Sequence, residues 1–150
     1  SIDMPSPHRT REIAKYEATH TLIKSVTSGT TALTAAESGK YIAADITGGN
    51  VILTLPAAEV GLTYRMVVHK SDTGNDEFNI NTAASGSHFK GGVNHSHDGG
   101  DNASVEANGT GHYQFSAVDA EAGTDITVVC DGTHWYITGV SVSTEPPTFA

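Results

Sequence analysis

The chain has 150 residues, the length of one domain, and a formal net charge of −9 at pH 7. All Lys and Arg residues lie at or before Lys90, and this argues against a nucleic-acid-binding body, because phosphate contacts need a basic face. The single cysteine, Cys130, excludes a disulfide within the chain, and without a long apolar run or a secretion signal we expect neither a membrane span nor secretion.

Residues 1–24 differ in composition from the rest of the chain and predict an extended N-terminal arm. Pro5 and Pro7 interrupt regular structure, and the stretch that follows them fits a short helix and a strand about equally well. We expect the arm to become ordered against a partner, and the alternative is a partly disordered tail. The residues expected to contact the partner are Arg9, Arg11, Ile13, Lys15, Tyr16 and Lys24.

Residues 25–142 predict an all-β domain of about eight short strands. The stretch Gly39–Lys70 holds three strand-length apolar runs separated by Gly, Pro and Asn, which predicts a meander of consecutive strands. Thr-rich residues 26–33 and the alternating residues 78–82 add further strands. Strands at a spacing of about ten residues favour a β-sandwich or a barrel. The three runs of the meander are Tyr41–Ile46, Val51–Leu55 and Tyr64–Val68.

Residues 83–111 are rich in Gly and poor in apolar side chains, which predicts a long irregular surface loop with one short strand at Ser104–Glu106. Three acidic residues of this loop, Asp98, Asp101 and Glu106, do not have the spacing of an EF-hand calcium loop. We therefore expect no calcium site of that kind.

His95 and His97 form an H-x-H pair inside this stretch, and an extended backbone places both imidazoles on one side. The pair is a candidate site for a transition metal. Asp98 or Asp101 would supply a third ligand within one chain, whereas a threefold axis would bring six imidazoles together. The alternative is a polar, Gly-flanked loop that happens to contain histidines.

The strongest hairpin pattern lies near the C-terminus, where Asp125–Cys130 and Trp135–Val140 flank an Asp-Gly turn. Cys130 alternates with apolar residues, so we expect it to be buried. Trp135, Tyr136 and Tyr113 either belong to a core or an interface or form a sugar-binding platform.

Residues 143–150 contain Pro146 and Pro147 and form a C-terminal tail. A proline cannot donate a ladder hydrogen bond, and we therefore expect that the tail does not extend a central strand.

Two segments resemble β-rich virion proteins of tailed bacteriophages: SGKYIAADITGGNVILTLPAAEVGLTYRMVV within residues 38–70, and TDITVVCDGTHWYITG within residues 124–140. In those proteins a strand–turn–LTLP–AA–x–x–G–x–x–Y segment and a terminal DGT–x–WY hairpin recur in head decoration, head-fibre and tail-fibre proteins. These motifs are structural, so the resemblance points to a fold and a class of particle.

The resemblance implies a homotrimeric virion protein that is made in the host cytoplasm and lies on the outer surface of the capsid. The short length favours a head decoration, or cement, protein that stabilises its partner, the major capsid protein. A receptor-binding or host-attachment module of a fibre or spike is the second expectation, and a small carbohydrate-binding domain is the third. The sequence has no G-x-S-x-G elbow and no phosphate-binding glycine loop, so we expect no enzymatic activity and no cofactor.

Overall fold

A computed structural model describes residues 22–73, 76–83, 87–97 and 102–150. These ranges contain twelve strands and one short 3-10 turn, Ala35–Glu37. None of the helical structure in them is long and apolar enough to cross a membrane. The strands are β1 Ile23–Val26, β2 Gly29–Ala32, β3 Tyr41–Asp45, β4 Val51–Thr54, β5 Thr63–Lys70, β6 Phe78–Asn81, β7 Phe89–Ser96, β8 Ser104–Asn108, β9 Gln114–Ala117, β10 Asp125–Cys130, β11 Trp135–Val142 and β12 Thr148–Phe149.

The strands form two open sheets that pack face to face. The seven-stranded sheet has the order β1-β3-β5-β10-β11-β7-β8, and the five-stranded sheet has the order β12-β9-β6-β4-β2. The predicted all-β sandwich is therefore confirmed, and the alternative of a closed barrel is not formed. The chain has more strands than predicted because several of them are only two to four residues long.

The first six strands alternate between the two sheets. β1, β3 and β5 are parallel neighbours in one sheet, with Ile23 opposite Tyr41 and Tyr41 opposite Arg65. β2, β4 and β6 are parallel neighbours in the other, with Val51 opposite Phe78. The chain thus winds as a flattened coil, and the predicted meander is wrong. Each turn carries the chain across the sandwich, so consecutive strands do not pair with each other.

Much of the stretch predicted as an irregular loop is also regular: β7 and β8 pair as antiparallel strands and complete one end of the seven-stranded sheet. Phe89, Val93 and Ala107 point into the core from these strands. Gly91 of β7 lies against β11, where an added Cβ would be 2.4 Å from the Ile137 carbonyl oxygen. The prediction was wrong because glycines required by close packing lowered the apolar content of a buried strand.

The core lies between the sheets and contains the large side chains Trp135, Tyr64, Phe78, Phe89 and Phe115, all fully buried. Cys130 is buried in the same cluster, as predicted. The predicted hairpin is confirmed, since β10 and β11 pair as antiparallel strands with Cys130 opposite Trp135.

The N-terminal arm and the C-terminal tail join the β-domain in different ways. Of the predicted arm, residues 1–21 lie outside the described residues, and the described part enters β1 at Ile23. Lys24 is therefore a residue of the sheet, and it forms an ion pair with Glu37 that lowers the pKa of that carboxyl group. The C-terminal tail contributes β12, which pairs with β9 at an edge of the five-stranded sheet.

Candidate functional site

The outer face of the seven-stranded sheet carries most of the exposed large apolar side chains in the described ranges. Ile23 on β1, Val129 on β10, and Tyr136 and Val140 on β11 all alternate with residues that point into the core. Their exposed fractions are 61%, 45%, 43% and 37%, respectively. Val129 and Tyr136 are directly paired across β10 and β11, whereas Ile23 lies on β1 and Val140 is separated from Tyr136 by the outward-facing Thr138. The exposed Val129–Tyr136 pair makes this face a candidate interaction surface.

Along one row, the residues that point outward from the middle strands are mostly apolar. One row of paired residues crosses the sheet from Ala43 on β3 through Val67 on β5 and Asp125 on β10 to Val140 on β11. Ala43 and Val67 point outward, yet both are buried. The row therefore places one carboxylate, Asp125, between the apolar side chains of Val67 and Val140.

A charged and aromatic cluster lies beside the apolar residues on the same face. Arg65 donates from Nε and one terminal nitrogen to the two carboxylate oxygens of Asp125, at 3.1 and 2.6 Å. The hydrogen-bonded Asp125 raises the pKa of Arg65. The guanidinium lies 5.2 Å from the centre of the Tyr41 ring, whose hydroxyl is 2.8 Å from Nε2 of His69. The cluster holds Arg and Tyr, which are enriched at protein interfaces, in fixed positions.

The outer face of the five-stranded sheet has a different chemistry. Its five strands contain no charged residue. One outward row runs through Thr30, Ile52, Asn79, Ser116 and Thr148. This neutral face therefore offers a natural control surface for substitutions on the seven-stranded sheet.

A groove of about 250 Å³ lies at the ends of the parallel strands β1, β3 and β5. Asp45, His69 and Lys70 contribute its ionisable groups. The pKa of Asp45 is lowered chiefly by hydrogen bonds from the hydroxyl and the backbone N–H of Thr47. The Asp45 carboxylate is thus held by hydrogen bonds from Thr47, two residues later. The groove places polar and ionisable side chains next to the outer face.

His95 and His97 lie on one side of β7 and the residue after it, and their rings are parallel, with centroids 6.3 Å apart. His95 is buried, and its Nε2 donates to the Ser143 carbonyl oxygen at 2.7 Å. The proposed third ligands Asp98 and Asp101 lie outside the described residues. Within the described ranges, no group of three or more His, Cys, Asp or Glu side chains is placed to hold a metal ion. The metal site therefore stays a prediction.

The three aromatic residues considered for a sugar platform do not share a surface. Trp135 lies in the core, 6.2 Å from the Tyr64 ring, whereas Tyr136 points outward from the next position of β11. Tyr113 lies just before β9 and packs against His88, with ring centroids 4.6 Å apart. The structure therefore assigns Trp135 to the core, as one of the two interpretations predicted.

The sequence analysis named Tyr136 as a core, interface or sugar-platform residue, but it did not identify Val129 and Val140 as surface residues with a role. The sequence did contain a signal for this surface. Apolar residues occur at outward-facing as well as inward-facing positions of β10 and β11, as expected for a sheet covered on both sides. The pairing of Arg65 with Asp125 had no sequence signal, since the two residues are 60 positions apart.

The two segments on which the expected resemblance to phage virion proteins rests meet in this sheet. Residues 38–70 supply β3 and β5, residues 124–140 supply β10 and most of β11, and these four strands are adjacent. No known protein family matches the sequence, and no curated protein matches it either. The geometry of the outer face is therefore the main guide to function.

Proposed function

We propose that this protein is a non-enzymatic structural component of a tailed bacteriophage particle. In this proposal it is a homotrimer that decorates the outer surface of the capsid, binds the major capsid protein and stabilises the shell. The observation that carries the proposal is the outer face of the seven-stranded sheet, where Val129 and Tyr136 form an exposed apolar pair and Val140 lies opposite the ion-paired Asp125. A surface of this kind suits permanent assembly with other protein subunits.

The outer face is assigned to contacts between sister subunits of the trimer. Fully burying an apolar side chain contributes about 1.5–3 kcal/mol, and Val140 and Tyr136, which are 37% and 43% exposed, can each gain only the corresponding part of that in an interface. Asp125 already neutralises Arg65 within the subunit, so covering this pair leaves no isolated charge. The basic residues of the arm, Arg9, Arg11 and Lys15, are assigned to the capsid, which leaves the two contacts on separate parts of the chain.

Placing a charge on the outer face is expected to dissociate the trimer. In the double variant Val129→Glu/Val140→Glu, two carboxylates would have to lose water in the interface, which costs several kcal/mol per ion. We expect light scattering to give a trimer mass for the wild type and the 15.6 kDa monomer mass for the variant, with unchanged circular dichroism. The control Thr30→Glu, on the neutral face, should remain trimeric. A monomeric wild type, or a variant that stays trimeric, would contradict the assignment.

Deleting residues 1–21 tests the role of the arm without removing β1, which begins at Ile23. We expect the shortened protein to keep its circular dichroism and trimer mass and to lose most of its affinity for undecorated capsids. Raising the salt concentration should mimic part of this loss in the full chain, because exposed charges are screened. Undiminished binding by the shortened protein would move capsid attachment to the β-domain.

A host-attachment module of a fibre or spike remains the alternative within the same class of particle. The two roles differ in copy number, which quantitative mass spectrometry of purified particles measures directly. We expect a decoration protein to be present in numbers comparable to the major capsid protein. A few copies per particle would instead favour the fibre or spike.

A further inference from the structure

The groove at the carboxyl ends of β1, β3 and β5 takes its shape from the side chains that point outward from the middle strand, β3. These are Tyr41, Ala43 and Asp45, and the methyl group of Ala43 is the smallest of the three. Ala43 lies in register between Ser25 of β1 and Val67 of β5. A small side chain among larger ones leaves a depression of about 250 Å³, and Ala43 gives this groove an apolar floor.

Two opposite charges line the groove without contacting each other. Asp45 is opposite Lys70 in the register of β3 and β5, and both side chains line the groove. Within the described ranges no ion pair joins them, so the ammonium and the carboxylate are too far apart for direct contact. A ligand can therefore enter between the two groups, and it meets a site in which one positive and one negative charge balance.

Two of the polar side chains are held in place from outside the groove. Oδ1 of Asp45 accepts hydrogen bonds from the backbone N–H and the hydroxyl of Thr47, at 3.0 and 2.6 Å, which leaves Oδ2 to accept from a ligand. The His69 ring contacts the edge of the Tyr41 ring, and its Nε2 is 2.8 Å from the Tyr41 hydroxyl, which leaves Nδ1. Groups that are fixed before binding lose little conformational entropy when a ligand arrives.

We propose that this groove binds one residue of a neutral carbohydrate. A sugar ring carries hydroxyl groups around its edge and C–H groups on its faces, which matches a groove with polar walls and an apolar floor. Its hydroxyl groups donate to Oδ2 of Asp45 and accept from Nζ of Lys70, and hydrogen bonds to charged groups are the stronger kind. The groove is smaller than the range of about 300–1,000 Å³ typical of sites for drug-sized ligands, so it admits a single ring.

The same lining argues against other small ligands. Asp45 is the single carboxylate among the lining residues, whereas Ca²⁺ takes about six to eight oxygen ligands and would be repelled by Lys70. A phosphate ion would be attracted by Lys70 but repelled by Asp45. A small amino acid could pair with both charges, yet ion pairs at exposed positions contribute little, and glycine has no apolar face to place on Ala43.

The groove is separate from the exposed apolar pair that we assign to trimer contacts. Val129 and Tyr136 lie on β10 and β11, whereas the groove lies on β1, β3 and β5 at one side of the same sheet. Carbohydrate binding therefore goes beyond the capsid role and does not depend on it. On a particle that carries many copies, weak single sites would act together through multivalency.

An NMR titration of the full-length, ¹⁵N-labelled protein tests the proposal. The probes are the methyl glycosides of glucose, galactose, mannose and N-acetylglucosamine, with glycine and inorganic phosphate as separate arms. We expect at least one sugar to bind with a Kd on the order of 1 mM, because one ring buries little surface. The amides of residues 25–27, 43–45 and 69–70 should shift saturably. No saturable shift there with any of the four sugars, or a response only to glycine or phosphate, would overturn the proposal.

Variants locate the sugar within the groove. Asp45→Asn keeps an oxygen that can accept from Thr47 but removes the charge, and we expect it to weaken binding about tenfold or more. Ala43→Leu fills the floor and should abolish binding. Asp131→Asn is the matched control, since Oδ1 of Asp131 also accepts hydrogen bonds within its own turn but lies outside the groove, and its affinity should not change. Full affinity in a folded Asp45→Asn or Ala43→Leu variant would place the sugar elsewhere and contradict the proposal, and the wild-type titration decides by itself if both variants fail to fold.

Discussion

Replacing Trp135 with Ala is expected to lower the free energy of unfolding by about 3–5 kcal/mol, the range typical of large aromatic residues removed from a core. Trp135 begins β11, is fully buried and packs near Tyr64, which is also fully buried. Its removal leaves a cavity between the sheets that strands on both sides cannot fill without breaking ladder hydrogen bonds. The loss should therefore lie towards the upper part of this range.

Denaturant unfolding followed by circular dichroism measures this loss. Val60→Ala is a suitable control because Val60 is 76% exposed, and we expect it to change stability by less than about 1 kcal/mol. Trp135→Phe should be milder than Trp135→Ala, since it keeps a ring and removes an Nε1 that has no hydrogen-bond partner within the described ranges. An unchanged midpoint for Trp135→Ala would show that this side chain is not part of the core.

Replacing Gly139 with Ala is expected to destabilise the sheet by at least about 3 kcal/mol, because strain and a backbone collision act together. Gly139 lies in β11 with φ of +143°, a conformation that L side chains rarely adopt. An added Cβ would lie 2.1 Å from the Asp125 carbonyl oxygen and 2.9 Å from the Ile126 Cα. Neither atom can rotate away, so β10 and β11 would have to separate.

Gly29→Ala is the matched control for this prediction. Gly29 also has a positive φ, +106°, but no atom lies within 4 Å of an added Cβ. We expect this variant to lose about 1–2 kcal/mol, the cost of the backbone strain without the collision. Thermal unfolding of the two variants then isolates the contribution of the close strand approach. Equal losses would show that β10 and β11 tolerate a side chain between them.

The sequence was sufficient to predict the fold class and the best local pairing. Alternation in Asp125–Cys130, followed by an Asp-Gly turn, predicted a hairpin because all of its determinants lie within one short segment. The burial of Cys130 followed from the same alternation. Such features depend on neighbours in sequence, and the structure confirms them.

The connectivity of the first half could not be predicted in the same way. The pattern of Tyr41–Ile46 and Val51–Leu55 is equally compatible with strands that pair with each other and with strands that face each other across a core. The choice depends on partners far along the chain, such as β10 for β5 and β9 for β6. The ion pair of the outer face was missed for the same reason, since Arg65 and Asp125 meet only after folding.

The coil made by the first six strands has a consequence for the order of folding. Among these strands none pairs with its neighbour in sequence, and even the nearest partners, Ile23 and Tyr41, are 18 positions apart. The entropic cost of closing these loops must therefore be met before the strands of this half can pair, so a folding nucleus there should form slowly. The hairpins β7–β8 and β10–β11 pair strands that are neighbours in the sequence, so they can form faster. We therefore expect the C-terminal half to fold first and the coil to be added to it as β5 docks on β10 and β6 docks on β9.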